Sequence, residues 1–351
     1  MITVAPSVST SIMSAFICST STTAKIASIG RCQRLFKETL RHLPVNHNGA
    51  LRSFSAVAFP EEITGQEVDE SIRRLKQLVD EAKGKTLAIT GAGVSTDSGI
   101  PDYRGPAGSY SRGHKPMLHD EFISSEKNRK RYWARSTLGW QSFHVARPNA
   151  THRALAELEA VGKVDGVITQ NVDGLHQKAG SIKVVDLHGK NDKVECLSCG
   201  LQANRNAHQE HLARLNQSWI ERTFRAHANA GDGRLRADGD AELAADADLA
   251  DFIIPACGRC GGVLKPSVVF FGDNIPRDRV EETYRMVDDS RLVIVAGSSL
   301  QVFSAFRLVD RAAKAGTTVV VVNRGSTRAE RTGLPLLKVD AGVGEVFPLL
   351  L

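Results

Sequence analysis

The sequence predicts an α/β fold: a parallel sheet covered by helices on both faces, interrupted by a small metal-binding module. Three observations predict it. Short apolar runs, continuous rather than alternating, recur between helical stretches, which is the pattern of strands buried on both faces. Each run leads at once into small or polar residues, and in open sheets of this kind ligands lie at the carboxyl ends of the strands. Two C-x-x-C pairs, Cys196/Cys199 and Cys257/Cys260, stand inside one otherwise polar interval.

The elements follow in order. Ile72, Leu75, Leu78, Val79 and Ala82 recur at helical spacing with charges between them, and Gly84 ends that helix. Residues 85–90 (KTLAIT) read as the first strand, running into Gly91-Ala92-Gly93. Residues 166–169, 183–187, 291–296 and 317–322 read as further strands, with helices over 152–161 and 304–315 between them. GAG, QNVDGLH, HG, GSS and Asn323 follow these strands in turn, so their loops should converge on one crevice. The interval 190–265 breaks the alternation. Its Ala/Asp-rich insert between the cysteine pairs lacks strong periodicity, and reads as a partly disordered surface extension with a helix around 206–216.

Composition narrows the function. Hydrophobic and charged fractions of 42% and 24% are those of a soluble globular protein, and no apolar run approaches the ~20 residues that span a bilayer. No membrane partner is therefore expected. Residues 1–58 hold Lys25, Arg31, Arg34, Lys37, Arg41 and Arg52 against the single acid Glu38, and so carry +5 of the chain's +6. The body is nearly neutral, and nothing calls for a nucleic-acid partner. This Ser-, Thr-, Ala- and Arg-rich, acid-poor leader has the composition of an organelle transit peptide. The expected organisation is a leader over 1–58 and a catalytic body over 59–351.

Two C-x-x-C knuckles present four thiolates to one ion, a closed tetrahedral set that holds structural rather than catalytic zinc. The long spacer is no obstacle, because loop-closure entropy grows slowly with length. Few basic residues flank the second knuckle, which argues against a nucleic-acid-binding zinc ribbon.

Gly91-Ala92-Gly93 after a strand lets backbone approach a pyrophosphate, with a helix start beyond it to donate N–H groups. The third glycine and the later acidic residue of the dehydrogenase fingerprint are both absent, which disfavours a hydride-transferring oxidoreductase. His188 directly follows an apolar strand and precedes a small glycine, so it is placed at the crevice. An ordinary pKa near 6.5 lets it accept a proton at neutral pH, while a core histidine satisfied by backbone would read the same way.

GAGVSTDSGIPDYR, TQNVDGLH, the His-Gly of DLHG, the paired C-x-x-C, KPSVVFFGD and GSSLQV stand in the order found in sirtuins, and residues 70–351 resemble that family. YWARSTLGW and VVFFGDNIP look most like class II mitochondrial sirtuins, the lipoamidase/ADP-ribosyltransferase type. The resemblance implies a Rossmann-like doubly wound sheet with a zinc module, and NAD as co-substrate in the cleft between them. It makes Gly91, Ala92, Gly93, Ser95, Ile100, Pro101, Asp102, Tyr103 and Arg104 the main NAD loop. Gln170, Asn171, Val172 and Asp173 would join Ser95 and Ile100 around the nicotinamide end, with Arg104 positioning ribose and phosphates. Gly297, Ser298 and Ser299 would meet phosphate and ribose. Asn323, Arg324 and Gly325 would hold the adenosine, and the Val343 backbone would close over the adenine.

By the same resemblance, an acyl-lysine carbonyl oxygen attacks C1′ of the nicotinamide ribose, and nicotinamide leaves. His188 then takes a proton from a ribose hydroxyl that attacks the acyl carbon, with Asn171 and Asp173 beside it. The products are lysine, nicotinamide and O-acyl-ADP-ribose. Val268, Val269, Phe270, Phe271 and Gly272 would bind substrate backbone by strand addition. Tyr132 and Arg135 fall on one helix face. They resemble a pair that recognises an acyl-chain carboxylate, which points to acidic or bulky acyl groups. Asp273, where many sirtuins have Glu, and Ser298, where Thr is common, are conservative departures. Acylated lysines of mitochondrial metabolic enzymes, in the matrix, are the implied partners. Transfer of ADP-ribose to a protein side chain would use the same cleft, and a non-catalytic NAD-sensing scaffold would lack His188, Asn171 or Asp173, which are all present.

Overall fold

A computed structural model describes residues 65–106, 108–227, 236–243 and 247–351. The expected leader over 1–58 lies outside them. The chain opens with α1 (Gly65–Glu81), then β1 (Thr86–Thr90), α2 (His119–Ser124), α3 (Glu126–Val145) and α4 (Ala150–Ala160). β2 (Val164–Thr169), α5 (Leu175–Ala179), β3 (Val184–Asp186) and β4 (Gly189–Cys196) follow. β5 (Gln202–Asn204), α6 (Arg205–Leu215), α7 (Gln217–His227) and β6 (Leu264–Val268) build the inserted module. The chain closes with α8 (Arg277–Asp288), β7 (Leu292–Ala296), α9 (Phe303–Lys314), β8 (Thr318–Val322), α10 (Arg328–Arg331), β9 (Leu337–Val339) and α11 (Val343–Val346).

Six strands form one parallel sheet in the order β3-β2-β1-β7-β8-β9. Counted along this sheet alone, that is the doubly wound Rossmann order, which reverses direction between β1 and β7. The central strands β1 and β7 are buried along their whole length because both faces are covered. Ala88, Ile294, Val320 and Val322 pack against α1, α4 and the C-terminal Phe347 and Leu350. Leu87, Ile89, Val293, Val295, Val319 and Val321 point the other way, against α8 and α9. Residues one apart thus serve opposite cores, and each fully buried aliphatic side chain contributes about 1.5–3 kcal/mol. β9 was not expected from its three residues, LKV, which are too few to show a period.

The second sheet is antiparallel, in the order β5-β4-β6. With α2, α3, α6 and α7 it encloses an aromatic core that includes Phe122, Tyr132, Trp133, Trp219, Phe252 and Phe270. α6 falls at the expected place and is capped by Asn204, whose side chain accepts from the Asn206 and Ala207 amides at 2.8 and 3.3 Å.

One expectation is corrected. The insert is not only a surface extension: residues 236–241 fold back onto α3, with the Ala241 amide donating to the Arg135 carbonyl at 3.0 Å. Gly139 admits this contact, since a Cβ there would sit 2.3 Å from the Gly239 oxygen. Residues 268–272 do not continue as a strand. β6 ends at Val268, and Phe271 makes only an isolated bridge to Leu118.

Candidate active site

The loops after β1 and β7 cross at the point where the strand order reverses. The Gly93 amide donates to the Gly297 carbonyl at 2.9 Å. A Cβ on Gly93 would lie 2.8 Å from that oxygen, and one on Gly297, which has φ +58°, would lie 2.6 Å from the Val94 nitrogen. These glycines therefore let two loops meet as well as letting backbone face a ligand. Two short 3₁₀ turns, Ala92–Val94 and Thr96–Ser98, follow Gly91 in place of the expected helix start.

A cavity of about 770 Å³ opens over these strand ends, a size typical of small-molecule sites. Ala92, Gly93, Asp102, Tyr103 and Arg104 line it from the first loop. Gln170, Asn171, Val172 and His188 line it from the loops after β2 and β3. Gly297, Ser298, Ser299, Asn323, Arg324 and Gly325 contribute the opposite end, and Val268 to Gly272 form part of another wall. Backbone amides, small residues and neutral polar side chains at five strand ends fit a dinucleotide.

Behind the wall lies a buried polar network. The Asn171 amide donates to the Gly91 carbonyl and to Ser95 Oγ, both at 3.0 Å. Ser95 Oγ donates to Asp173 Oδ2 at 2.7 Å, and the Leu175 amide donates to Asp173 Oδ1 at 2.8 Å. Burial raises the Asp173 pKa, and the donors from Leu175 and Ser95 oppose that rise. The network ties the loop after β2 to the glycine loop after β1, so Ser95 and Asp173 shape the site from behind.

His188 Nδ1 lies 3.0 Å from the Gln170 carbonyl oxygen, and Nε2 lies 2.8 Å from Ser304 Oγ. A carbonyl only accepts, so Nδ1 carries the proton, and Nε2 is left as the acceptor facing the cavity. Burial lowers the His188 pKa, with Arg279 adding to the effect and the Gln170 carbonyl opposing it. The imidazole is therefore neutral at pH 7, the form a general base requires.

Residues 91–304 match the Sir2 family. The chain belongs to that family. This sirtuin is 47% identical over 275 residues to NAD-dependent protein deacetylase 1 of Mycobacterium avium, covering 78% of this chain and 93% of the relative. It is 46% identical over 285 residues to NAD-dependent protein deacylase Sirt4 of Drosophila melanogaster, covering 81% and 87% of the two chains. Among solved structures, a Sir2 complex with a p53 peptide and NAD+ superposes with a TM-score of 0.62 at 30% identity, covering 80% of this chain and 96% of the other.

The sirtuin's four cysteine sulfurs lie within 4.8 Å of one another. Cys196 and Cys260 Sγ are 3.5 Å apart, and Cys199 and Cys257 Sγ are 3.7 Å apart. Zn–S bonds of about 2.3 Å in a tetrahedron place sulfurs about 3.8 Å apart, so the four fit one structural zinc ion. His188 and Cys196 stand just before and at the end of β4, separated by eight residues of extended chain, or roughly 26 Å at about 3.3 Å per residue. An ion there holds the module together and is out of reach of the base.

Several expected residues do not line the cavity. Gly91, Ser95, Ile100, Pro101 and Asp173 lie behind it, and Val343 is a core residue of α11. Val269 and Phe271 already spend backbone groups inside the chain, on the His188 carbonyl and the His119 amide, which shortens the edge open to strand addition. Tyr132 reaches the cavity, but Arg135 does not. Arg135 is buried and faces the carboxylate of Asp240 at 3.4 Å. Its helical spacing from Tyr132 was right, and the insert turn covers it. The cation at this wall is Arg236, joined by Asp238, and both come from the insert. Arg236 could not be found by periodicity, although a glycine inside a helix, Gly139, marked where a second backbone approaches. Ser304, on the His188 ring, was also missed.

Proposed function

We propose that this sirtuin is an NAD-dependent protein-lysine deacylase that passes the acyl group to ADP-ribose and releases nicotinamide. The observation that carries this reading is a neutral His188 at the cavity wall, its unprotonated Nε2 available as a proton acceptor, beside loops that the Asn171 network holds at the strand ends. Support comes from relatives named as NAD-dependent deacetylases or deacylases and from Sir2 structures described as bound to NAD+ or to acetylated and propionylated peptides.

NAD supplies the electrophilic ribose carbon. The chain's residues do the rest. Gly93, Gly297 and Ser298 bind the dinucleotide at the switch point. Asn171, fixed by Ser95 and the Gly91 carbonyl, orients the ribose. His188 Nε2 receives the proton of the ribose hydroxyl that attacks the acyl carbon, and the Gln170 carbonyl holds the other ring nitrogen as the imidazolium forms. The four cysteines hold zinc, which keeps β4 and β6 paired and so keeps His188 and the substrate wall in register.

The acyl group faces a wall of Met117, Tyr132, Phe270, Arg236 and Asp238. Aromatic and sulfur surface with one guanidinium suits a long acyl chain ending in a carboxylate or other acceptor, so Arg236 takes the role first expected of Arg135. The likeness of YWARSTLGW and VVFFGDNIP to class II mitochondrial sirtuins and the basic, acid-poor leader support a matrix enzyme acting on acylated metabolic enzymes. Attaching residues 1–60 to a fluorescent protein tests the address: mitochondrial import supports it, and a diffuse signal counts against it.

The activity is tested with the purified protein, NAD and a panel of acyl-lysine peptides. Acyl-dependent nicotinamide release that falls about 10²–10⁴-fold in His188→Ala supports deacylation with His188 as base. A protein acceptor gaining the mass of ADP-ribose instead would move the assignment to transfer.

A further inference from the structure

We propose that Ser304 is a second catalytic residue of this sirtuin, carrying the proton from the ribose hydroxyl to His188. The proposal rests on the deacylase reading and adds a step to it. Ser304 and His188 both line the cavity, and Ser304 Oγ stands 2.8 Å from His188 Nε2. Because Nδ1 donates to the Gln170 carbonyl, Nε2 offers one in-plane lone pair, and the Ser304 hydroxyl donates to it. The base is thus already engaged before substrate arrives. A ribose hydroxyl reaching Nε2 directly would first have to break that bond. A ribose hydroxyl donating to Ser304 Oγ, which keeps a free lone pair, uses the bond that exists.

The step balances. The ribose hydroxyl gives its proton to Ser304 Oγ as the Ser304 proton passes to Nε2. The ribose oxygen keeps the electron pair with which it attacks the acyl carbon, Ser304 ends as a neutral hydroxyl, and His188 ends as imidazolium. Ser304 is the second residue of α9, whose N-cap, Val302, provides no side-chain acceptor. The positive end of that helix dipole favours the partial negative charge that Oγ carries during the transfer.

Ser304→Ala, Ser304→Thr and wild type are compared at saturating NAD and acyl-peptide. One readout is formation of O-acyl-ADP-ribose. The other is acyl-peptide-dependent exchange of labelled nicotinamide into NAD, which needs the attack at C1′ but no base. The relay predicts that Ser304→Ala loses product formation by about 10- to 100-fold while exchange stays within about threefold, and that Ser304→Thr restores most of the product rate. It also predicts that the acid limb of the Ser304→Ala profile moves to higher pH, because a donor to neutral Nε2 is gone. Product formation in Ser304→Ala that is unchanged or faster overturns the proposal. So does an equal fall of product and exchange that threonine does not repair, which would make Ser304 a support for the helix start. If Ser304→Ala does not fold, Ser304→Thr and Ser304→Val are read by the same ratio, and a valine variant as active as threonine overturns the relay. Absence of both readouts in wild type refutes the deacylase reading itself and is thereby told apart.

Discussion

His188, Arg236 and Arg135 show how far a single residue can be read from its neighbours in sequence. His188 sits where the strand-then-glycine pattern put it, because a residue at the end of a buried parallel strand has nowhere to go but the crevice. Arg135 was placed by helical spacing, and its side chain meets Asp240 instead of substrate, since spacing cannot show what lies across from a helix face. Replacing Arg236 by Met should lower kcat/KM for a carboxylate-ended acyl-lysine about tenfold or more, the loss of a charged hydrogen bond, and leave deacetylation within about twofold. Equal effects on both acyl groups in a peptide panel would refute Arg236 as the selecting cation. His176 and His152 are a different case. His176 Nε2 lies 2.9 Å from Thr90 Oγ1, the two rings pack 4.8 Å apart, and burial lowers their pKa values to about 3 and about 4. Both are neutral and structural at pH 7.

Elements were legible where a period was long enough to show. The strands after 85, 166, 291 and 317 and the helices over 150–160 and 303–314 stand within about two residues of expectation, because continuous β-branched runs and 3.6-residue repeats have few other solutions. β9 and the turn at 236–241 were not legible, being held by tertiary contacts alone. The crossing of the glycine loops makes a prediction at this scale. Gly297→Ala combines a strained positive φ with a 2.6 Å clash against the Val94 nitrogen, so it should cost about 1–3 kcal/mol and raise the KM for NAD. At about 2–4 °C per kcal/mol for a domain of this size, the loss is readable by thermal melting. A melting point and KM both unchanged would mean that the loops need not touch. Asn149 ties α4 to the same loop. Its side chain accepts from the Thr151 amide at 3.0 Å and donates to the Val94 carbonyl at 2.7 Å, so Asn149→Ala should cost about 1 kcal/mol from the lost cap and more from the lost loop contact.

At the scale of the molecule, the six-stranded sheet and the cysteine module divide the work. The sheet carries its own two-sided core, whereas the module depends on an ion to bring together cysteines about 57 residues apart in the chain. Chelation should therefore remove about one zinc per chain and abolish activity, with loss of protection in β4 and β6 before β1 and β7 by hydrogen exchange. Simultaneous loss in both sheets would contradict that division. Acid should act on the whole fold through the buried histidines. Their native pKa values lie below the unfolded value near 6.5, so the unfolded chain binds more protons, and stability falls as pH drops from about 6.5 toward about 4. Asp240 runs the other way, since burial raises it to about 7 and its cost grows as pH rises from about 4 to 7. Melting temperature should therefore fall less steeply on acidification in a His176→Gln variant than in wild type. The fold class was visible in the sequence because its rules act at this scale, and the acyl wall was not, because stretches of chain around 117, 132, 236–238 and 270 come together to build it. The most direct test of the central claim is a mass balance of the reaction with NAD and the preferred acyl-peptide. Nicotinamide, deacylated lysine and O-acyl-ADP-ribose should appear in a 1:1:1 ratio and fall together in His188→Ala. Free carboxylate with no nicotinamide, or nicotinamide with the acyl-lysine intact, would contradict it.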